Sequence, residues 1–216
     1  MCGRFALDAP VKRIVQKYFL IEYDSDFQPN TNIAPGSAIP VIFGVDNKRI
    51  LKTAKWGFTD YASFPKTKII QFNSRMETLR SDNRPTGLSK NLRCLIPASG
   101  FYEWKKIEIA GKSKPFKKPY FFNISDSDIF GFAGIYRLNY KNQNSPECSI
   151  ITAPANNIIA DIHCRMPVII QDKYISDWLN PVSDSEILFQ IINDSDNQKL
   201  ICSEYSQKKE PDLFSS

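Results

Sequence analysis

Apolar residues in this chain recur mainly in short runs, and at helical spacing in only a few places. Runs at 39–44, 49–56, 92–97, 101–104, 120–124, 129–136 and 148–152 are rich in branched and aromatic residues. Each is bounded by Asn, Asp, Ser or Gly nearby, so they predict strands. Shorter strands are expected at 3–6, 69–72 and 168–170, and a hairpin is expected from 92–97 and 101–104, turned at Ser99-Gly100. Val11, Ile14, Val15, Tyr18 and Phe19 fall at helical spacing, with Asp8 as the expected N-cap and Pro10 in the first turn. Residues 73–79 read as a strand-to-helix junction, 158–163 as a turn or short helical segment, and 174–179 and 186–192 as short helices. Residues 22–32 are polar and irregular and end at a fixed turn, Ala34-Pro35-Gly36; 59–68 reads as a loop and the tail from 207 as frayed. Many short strands at irregular spacing predict a β-rich α+β domain spanning 1–216, a barrel or folded sheet with helices outside it.

Composition changes this picture little. Hydrophobic residues make up 42% and charged residues 24% of 216, the balance of an ordinary globular protein. Arg4, Asp8, Lys12, Arg13 and Lys17 interrupt the first twenty residues, leaving no apolar stretch for a signal peptide, so a cytoplasmic protein without a membrane segment is expected. Five scattered cysteines without a C-x-x-C pair, and a single histidine, argue against a disulfide framework and against a metal site. No cofactor is expected. The net charge of +5 permits polyanion binding without demanding it. Residues 105–118 hold six lysines against one glutamate, and several arginines stand beside aromatic or apolar residues, as a single-stranded nucleic-acid groove requires. A solvated lysine hairpin would look the same.

Candidate chemistry begins at Met1-Cys2. An initiator Met before a small residue is normally trimmed, and an N-terminal Cys then carries an α-amine and a thiol on adjacent carbons. Their reference pKa values are about 7.7–8.0 and about 8.5, so each supplies some nucleophile near neutrality. Such a pair condenses with an aldehyde to an imine and closes to a thiazolidine. His163, the single histidine, is either a core residue or a proton carrier. Glu103, in Phe101-Tyr102-Glu103-Trp104, either points to solvent, which alternation slightly favours, or faces a cavity whose apolar walls raise its pKa. Asn73 and Arg75 stand two apart on a strand end and can share one face, unless they cap a turn and decorate the surface. Trp56 is core or a stacking platform, with core the stronger reading.

Together these residues carry a resemblance. The blocks Met1-Cys2-Gly3-Arg4-Phe5, Asn32-Ile33-Ala34-Pro35, Trp56-Gly57, Asn73-Ser74-Arg75-Met76-Glu77-Thr78, the stretch from Cys94 to Trp104, and Ile162-His163-Cys164-Arg165-Met166-Pro167-Val168 run in order from residue 1 to about 180. They resemble the SOS-response-associated peptidase (SRAP) family of abasic-site DNA-protein crosslinking proteins. The resemblance implies an SRAP-like fold and a monomer acting on single-stranded DNA that contains abasic sites. It implies Cys2 as the nucleophile, with Asn73, Glu103 and His163 as the other catalytic residues. It implies Arg4, Asn32, Pro35, Trp56, Arg75 and Arg165 along the DNA. Cys164 stands where the family usually has Asp, and Ser99 where it often has Asp. Phe58 to Phe64 replace a Pro and second Trp, which makes Tyr61 or Phe64 the expected stacking wedge. Two other readings stand beside this one: a cysteine peptidase or lyase built on Cys2 and His163, and a noncatalytic single-strand binder.

Overall fold

The computed structural model describes residues 2–46, 48–61, 68–81, 92–111, 113–139, 145–197 and 199–206. In its first half the strands are β1 (Arg4–Leu7), β2 (Glu22–Asp24), β3 (Asn30–Ile33), β4 (Ala38–Val45), β5 (Lys48–Trp56), β6 (Phe58–Tyr61), β7 (Lys68–Gln71) and β8 (Asn73–Arg75). The second half adds β9 (Arg93–Ala98), β10 (Gly100–Ile107), β11 (Phe116–Ile124), β12 (Phe130–Asn139), β13 (Ser145–Pro154), β14 (Arg165–Pro167), β15 (Ile169–Ile170) and β16 (Leu200–Glu204). Four α-helices accompany them among the described residues: α1 (Val11–Tyr18), α2 (Met76–Ser81), α3 (Ile175–Leu179) and α4 (Ser185–Asn193). One sheet has the order β16-β11-β10-β1-β3, and a larger one the order β14-β13-β12-β9-β4-β5-β2 with β8 and β15 attached. The α+β, strand-dominated class expected from the many short apolar runs is the class observed.

The sheets meet through aromatic residues that alternation sends inward. Phe5 and Phe101, directly opposite each other on β1 and β10, contact Phe132 of β12 at ring-centroid distances of 5.8 and 6.0 Å. Phe5 also meets Trp56 edge-on at 5.0 Å. Each such fully buried ring contributes roughly 2 kcal/mol.

Several expectations need correction. Residues 92–97 and 101–104 form no hairpin: β9 lies between β12 and β4, and β10 lies in the other sheet. Ser99 is the corner where the chain changes sheets, held by its N–H on Ala6 C=O at 2.7 Å and by its hydroxyl, which accepts from Asp8 N–H at 3.0 Å. Asp8 is therefore not the cap of α1. Pro10 occupies that position in an extended conformation with no side-chain cap, and its carbonyl accepts from Arg13 N–H. Phe19, expected on the packed face of that helix, ends it at φ 52° with its ring 82% exposed. Residues 22–32, expected to be irregular, contain the strands β2 and β3. All of β2 and most of β3 are exposed, so backbone pairing makes these strands without any apolar alternation to announce them. Likewise β6 falls largely within the expected loop and pairs with β7, which lies where a strand was expected, and β16 joins the smaller sheet. Phe64 and the side chain of Tyr61 lie outside the described residues, as do Lys112 and the tail from 207.

Candidate functional site

Cys2 precedes β1 with only Gly3 between, and the register Arg4↔Tyr102 leaves Glu103 one step further along β10 toward it. Glu103 shares the inward face with Phe101 and is 2% exposed. Alternation holds along β10, but the face opposite Tyr102 and Trp104 meets the second sheet rather than solvent, which corrects the solvent-facing expectation. From the larger sheet, β8 pairs with β13 at Asn73↔Ile150 and brings Asn73 to the N-terminal segment. There its Nδ2 donates to the Cys2 carbonyl at 3.0 Å. The amide oxygen of Asn73 is buried and has no hydrogen-bond partner among the described residues. His163 closes the turn before β14, its N–H on Ile159 C=O at 2.9 Å. Its Nδ1 lies 3.0 Å from the N–H and 3.1 Å from the C=O of Arg165, so that one backbone residue can serve either tautomer. The side chain of the intervening Cys164 is exposed.

Glu103, Trp104, Lys106, Lys117 and His163 line a cavity of about 320 Å³. Burial raises the Glu103 carboxyl above its ordinary value, with positive groups, His163 among them, pulling the other way. Cys2 is completely buried, and that burial, followed by the nearby Glu103, pushes its thiol well up. The thiol also points to the Arg4 carbonyl at 3.8 Å. Both acids are thus driven toward their protonated forms, the condition under which a carboxyl can donate and recover a proton near neutrality. Among the described residues, no cluster of His, Cys, Asp and Glu could hold a metal.

The four residues expected to be catalytic therefore come to one place; the others separate into three groups. Arg4 and Asn32, joined at 2.8 Å, lie on the outer face of the smaller sheet. Arg75 is exposed on β8, while Arg165 is bound in bidentate fashion by Glu77 and donates to the Thr152 carbonyl at 2.6 Å. Trp56 is fully buried, and its Nε1 donates to Phe72 C=O at 2.9 Å, so its ring has no face to offer a base. It supports instead: Gly36 N–H donates to its carbonyl at 2.7 Å, fixing the Pro35-Gly36 turn in which Gly36 takes φ 93°.

The profile of the SOS response associated peptidase (SRAP) family matches residues 1–208. The chain belongs to the SRAP family. Abasic site processing protein YoqW of Bacillus subtilis is 34% identical over 192 residues, covering 84% of this chain and 81% of that protein. YoaM of the same organism is 35% identical over 193 residues, covering 86% and 82%. Abasic site processing protein YedK of Escherichia coli is 27% identical over 185 residues, covering 83% and 79%. The fold is shared with a solved protein of Bacteroides thetaiotaomicron at TM-score 0.77 and 22% identity, covering 97% of this chain and 96% of that one. It is shared also with a phage-related protein of Bordetella bronchiseptica at TM-score 0.75 and 23% identity, covering 95% of each.

Sequence reasoning about this SRAP protein did not single out Tyr102, placed Lys106 and Lys117 only within the lysine-rich stretch 105–118, and did not single out Tyr205, although all four line the clefts on this side of the molecule. The first three sit on alternate, outward positions of β10 and its partner β11, a signal that becomes readable once the strand pairing is known. Glu77 lies in the stretch Asn73–Thr78 that carries the family resemblance and holds Arg165. Its carboxyl is held below the usual range by the hydrogen bond from Arg165.

Proposed function

We propose that this protein captures abasic sites in single-stranded DNA by forming a thiazolidine between Cys2, exposed as the N-terminus after Met1 is removed, and the open-chain aldehyde of the lesion. The α-amine adds to the aldehyde carbon, water leaves, and an imine forms. The sulfur then bonds to that carbon while the C=N double bond becomes single, and the thiol proton is delivered to the nitrogen. The sum is aldehyde plus aminothiol giving ring plus water, with no external oxidant or reductant.

The observation that carries this reading is the convergence of Cys2, Asn73 and Glu103. The Asn73 amide grips the Cys2 carbonyl, and Glu103 is near enough to raise the Cys2 thiol. In this reading Glu103 gives the proton that expels water and then takes the proton from sulfur, while the vacant oxygen of Asn73 receives a hydroxyl of the opened sugar. The names of the relatives, abasic site processing proteins, point the same way. A peptidase would need Cys2 as a thiolate beside an imidazolium, with its pKa lowered; burial moves it in the opposite direction.

The test is a denaturing gel of the protein with single-stranded DNA carrying one abasic site. A covalent adduct is expected, absent with intact DNA and absent for Cys2→Ala. Cys2→Ser keeps the amine but lacks sulfur, and should give at most a reversible imine or strand cleavage. An adduct of undiminished yield from Cys2→Ala rules the mechanism out, and reversible binding alone, equal for intact and lesion DNA, leaves a noncatalytic binder.

A further inference from the structure

On the outer face of the smaller sheet, next to the reaction cavity, lies a second cleft of about 420 Å³. Trp104 and Lys117 line both, so the two share a wall. The outer cleft is aromatic in its floor and sides and polar at its edge. Tyr102 and Tyr205 meet edge-on with ring centroids 4.9 Å apart, and the Tyr102 hydroxyl is fixed by donating to Thr31 C=O at 2.8 Å. Tyr205 is held at the end of β16 by its own N–H on Pro119 C=O at 3.1 Å, and it remains 37% exposed. Arg4 and Asn32 form the polar edge. At the shared wall Lys106 stands directly opposite Lys117 across the β10–β11 ladder. Like charges in register destabilise a sheet, and neither lysine forms an ion pair with an acidic residue among the described residues. An arrangement that costs the fold stability and places two ammonium groups at the rim of the reaction cavity is suited to a phosphate.

We propose that the outer cleft receives the unstacked base of a nucleotide adjoining the abasic one, seated against Tyr102 and Tyr205, with Lys106 and Lys117 holding the intervening phosphate. The proposal rests on the abasic-site reading for its placement of the lesion in the reaction cavity. Aromatic walls accept any base by its face, while Asn32 and Arg4 stand where base edges can be read. The cleft volume suits a ligand of nucleotide size. The lesion itself has no base, so recognition of a neighbour supplies the stacking energy that the abasic nucleotide lacks.

The experiment measures reversible binding of wild-type protein to short single-stranded DNA whose central residue is tetrahydrofuran, an abasic analogue without an aldehyde. It is repeated with the base also deleted from the nucleotide on one side, then on the other. One of the two deletions is expected to weaken Kd by about tenfold, the size of a lost base–aromatic stack. Tyr205→Ala should weaken binding to the parent DNA by a similar factor and add little when that base is already gone, while Tyr205→Phe behaves as wild type. Lys117→Ala should reduce the slope of log K against log salt by about 0.7. Equal Kd for all three DNAs, or a Tyr205→Ala loss that is the same with and without the neighbouring base, overturns the proposal; an unchanged slope for Lys117→Ala removes the phosphate contact. Tetrahydrofuran cannot crosslink, so this outcome is independent of the gel, and absence of adduct with a true abasic site would count against the chemistry and not against the base cleft.

Discussion

At the scale of single residues, the division of proton work proposed for Glu103 and His163 rests on where each side chain lies. Glu103 is inward-facing and raised by burial above the ordinary 4.5 of a glutamate, whereas His163 sits at the cavity edge on the backbone of Arg165. Glu103→Gln is expected to slow adduct formation about 100-fold at about pH 7, and His163→Ala only about tenfold, in single-turnover crosslinking. A larger loss for His163→Ala from acid to neutral pH would reverse the assignment. The same burial has a stability sign. Because the folded state holds the Glu103 proton more tightly than the unfolded state does, its contribution is full below the free value and is lost as pH rises through the raised folded value. Thermal melts should therefore show Glu103→Gln more stable than wild type near neutral pH and equal to it in acid.

Elements position these residues through close approaches of backbone and side chain. Gly100 begins β10 at the point where the chain has just changed sheets, and a Cβ there would lie 2.1 Å from the Phe121 ring and 2.8 Å from the Phe122 carbonyl. Gly100→Ala must shift the strand that carries Glu103. Urea denaturation is expected to show a loss of about 1–3 kcal/mol, with a parallel fall in crosslinking rate. A second anchor ties β6 to β12 and β13. Glu147, 2% exposed, accepts from Arg137 and from Thr59 N–H at 3.1 Å, and Arg137 also bonds Asp60 and lies over the Phe58 ring at 4.8 Å. Glu147→Ala leaves the arginine against a buried position without its carboxylate, and should cost roughly 3 kcal/mol in the same measurement.

Across the whole molecule, the arginines of the larger sheet are unequally available for binding. Arg75 is exposed and forms no ion pair among the described residues, while Arg165 is 13% exposed in its side chain and engaged by Glu77. Binding to single-stranded DNA should weaken with salt, each phosphate contact adding about −0.7 to the log–log slope. Arg75→Ala should flatten that slope by one contact, whereas Arg165→Ala should chiefly lower the melting temperature, because it strands Glu77 and the Thr152 carbonyl. Identical slopes for wild type and Arg75→Ala would remove Arg75 from the DNA path. The strand-rich class and the strand-to-helix junction at Asn73–Arg75 were legible in the sequence, since short runs of branched and aromatic residues and their bounding turn residues are local properties of the chain. The edge strands β2 and β3 were not, because exposed edges are made by backbone pairing and need no apolar alternation. Nor was the partition of residues 92–104 between two sheets, since a corner at Ser99 and a hairpin turn use the same small residues. Cys2, Asn73, Glu103 and His163 could be named from motif blocks, but their meeting required β1, β8, β10 and the turn before β14 to converge. Which face of β10 is the inside depends on the second sheet. That packing decided that Glu103 is buried, that Trp56 is core, and that Arg4 lines the outer cleft while its neighbour Phe5 is buried, because successive side chains along an extended chain alternate between its two faces and the second sheet covers only one of them.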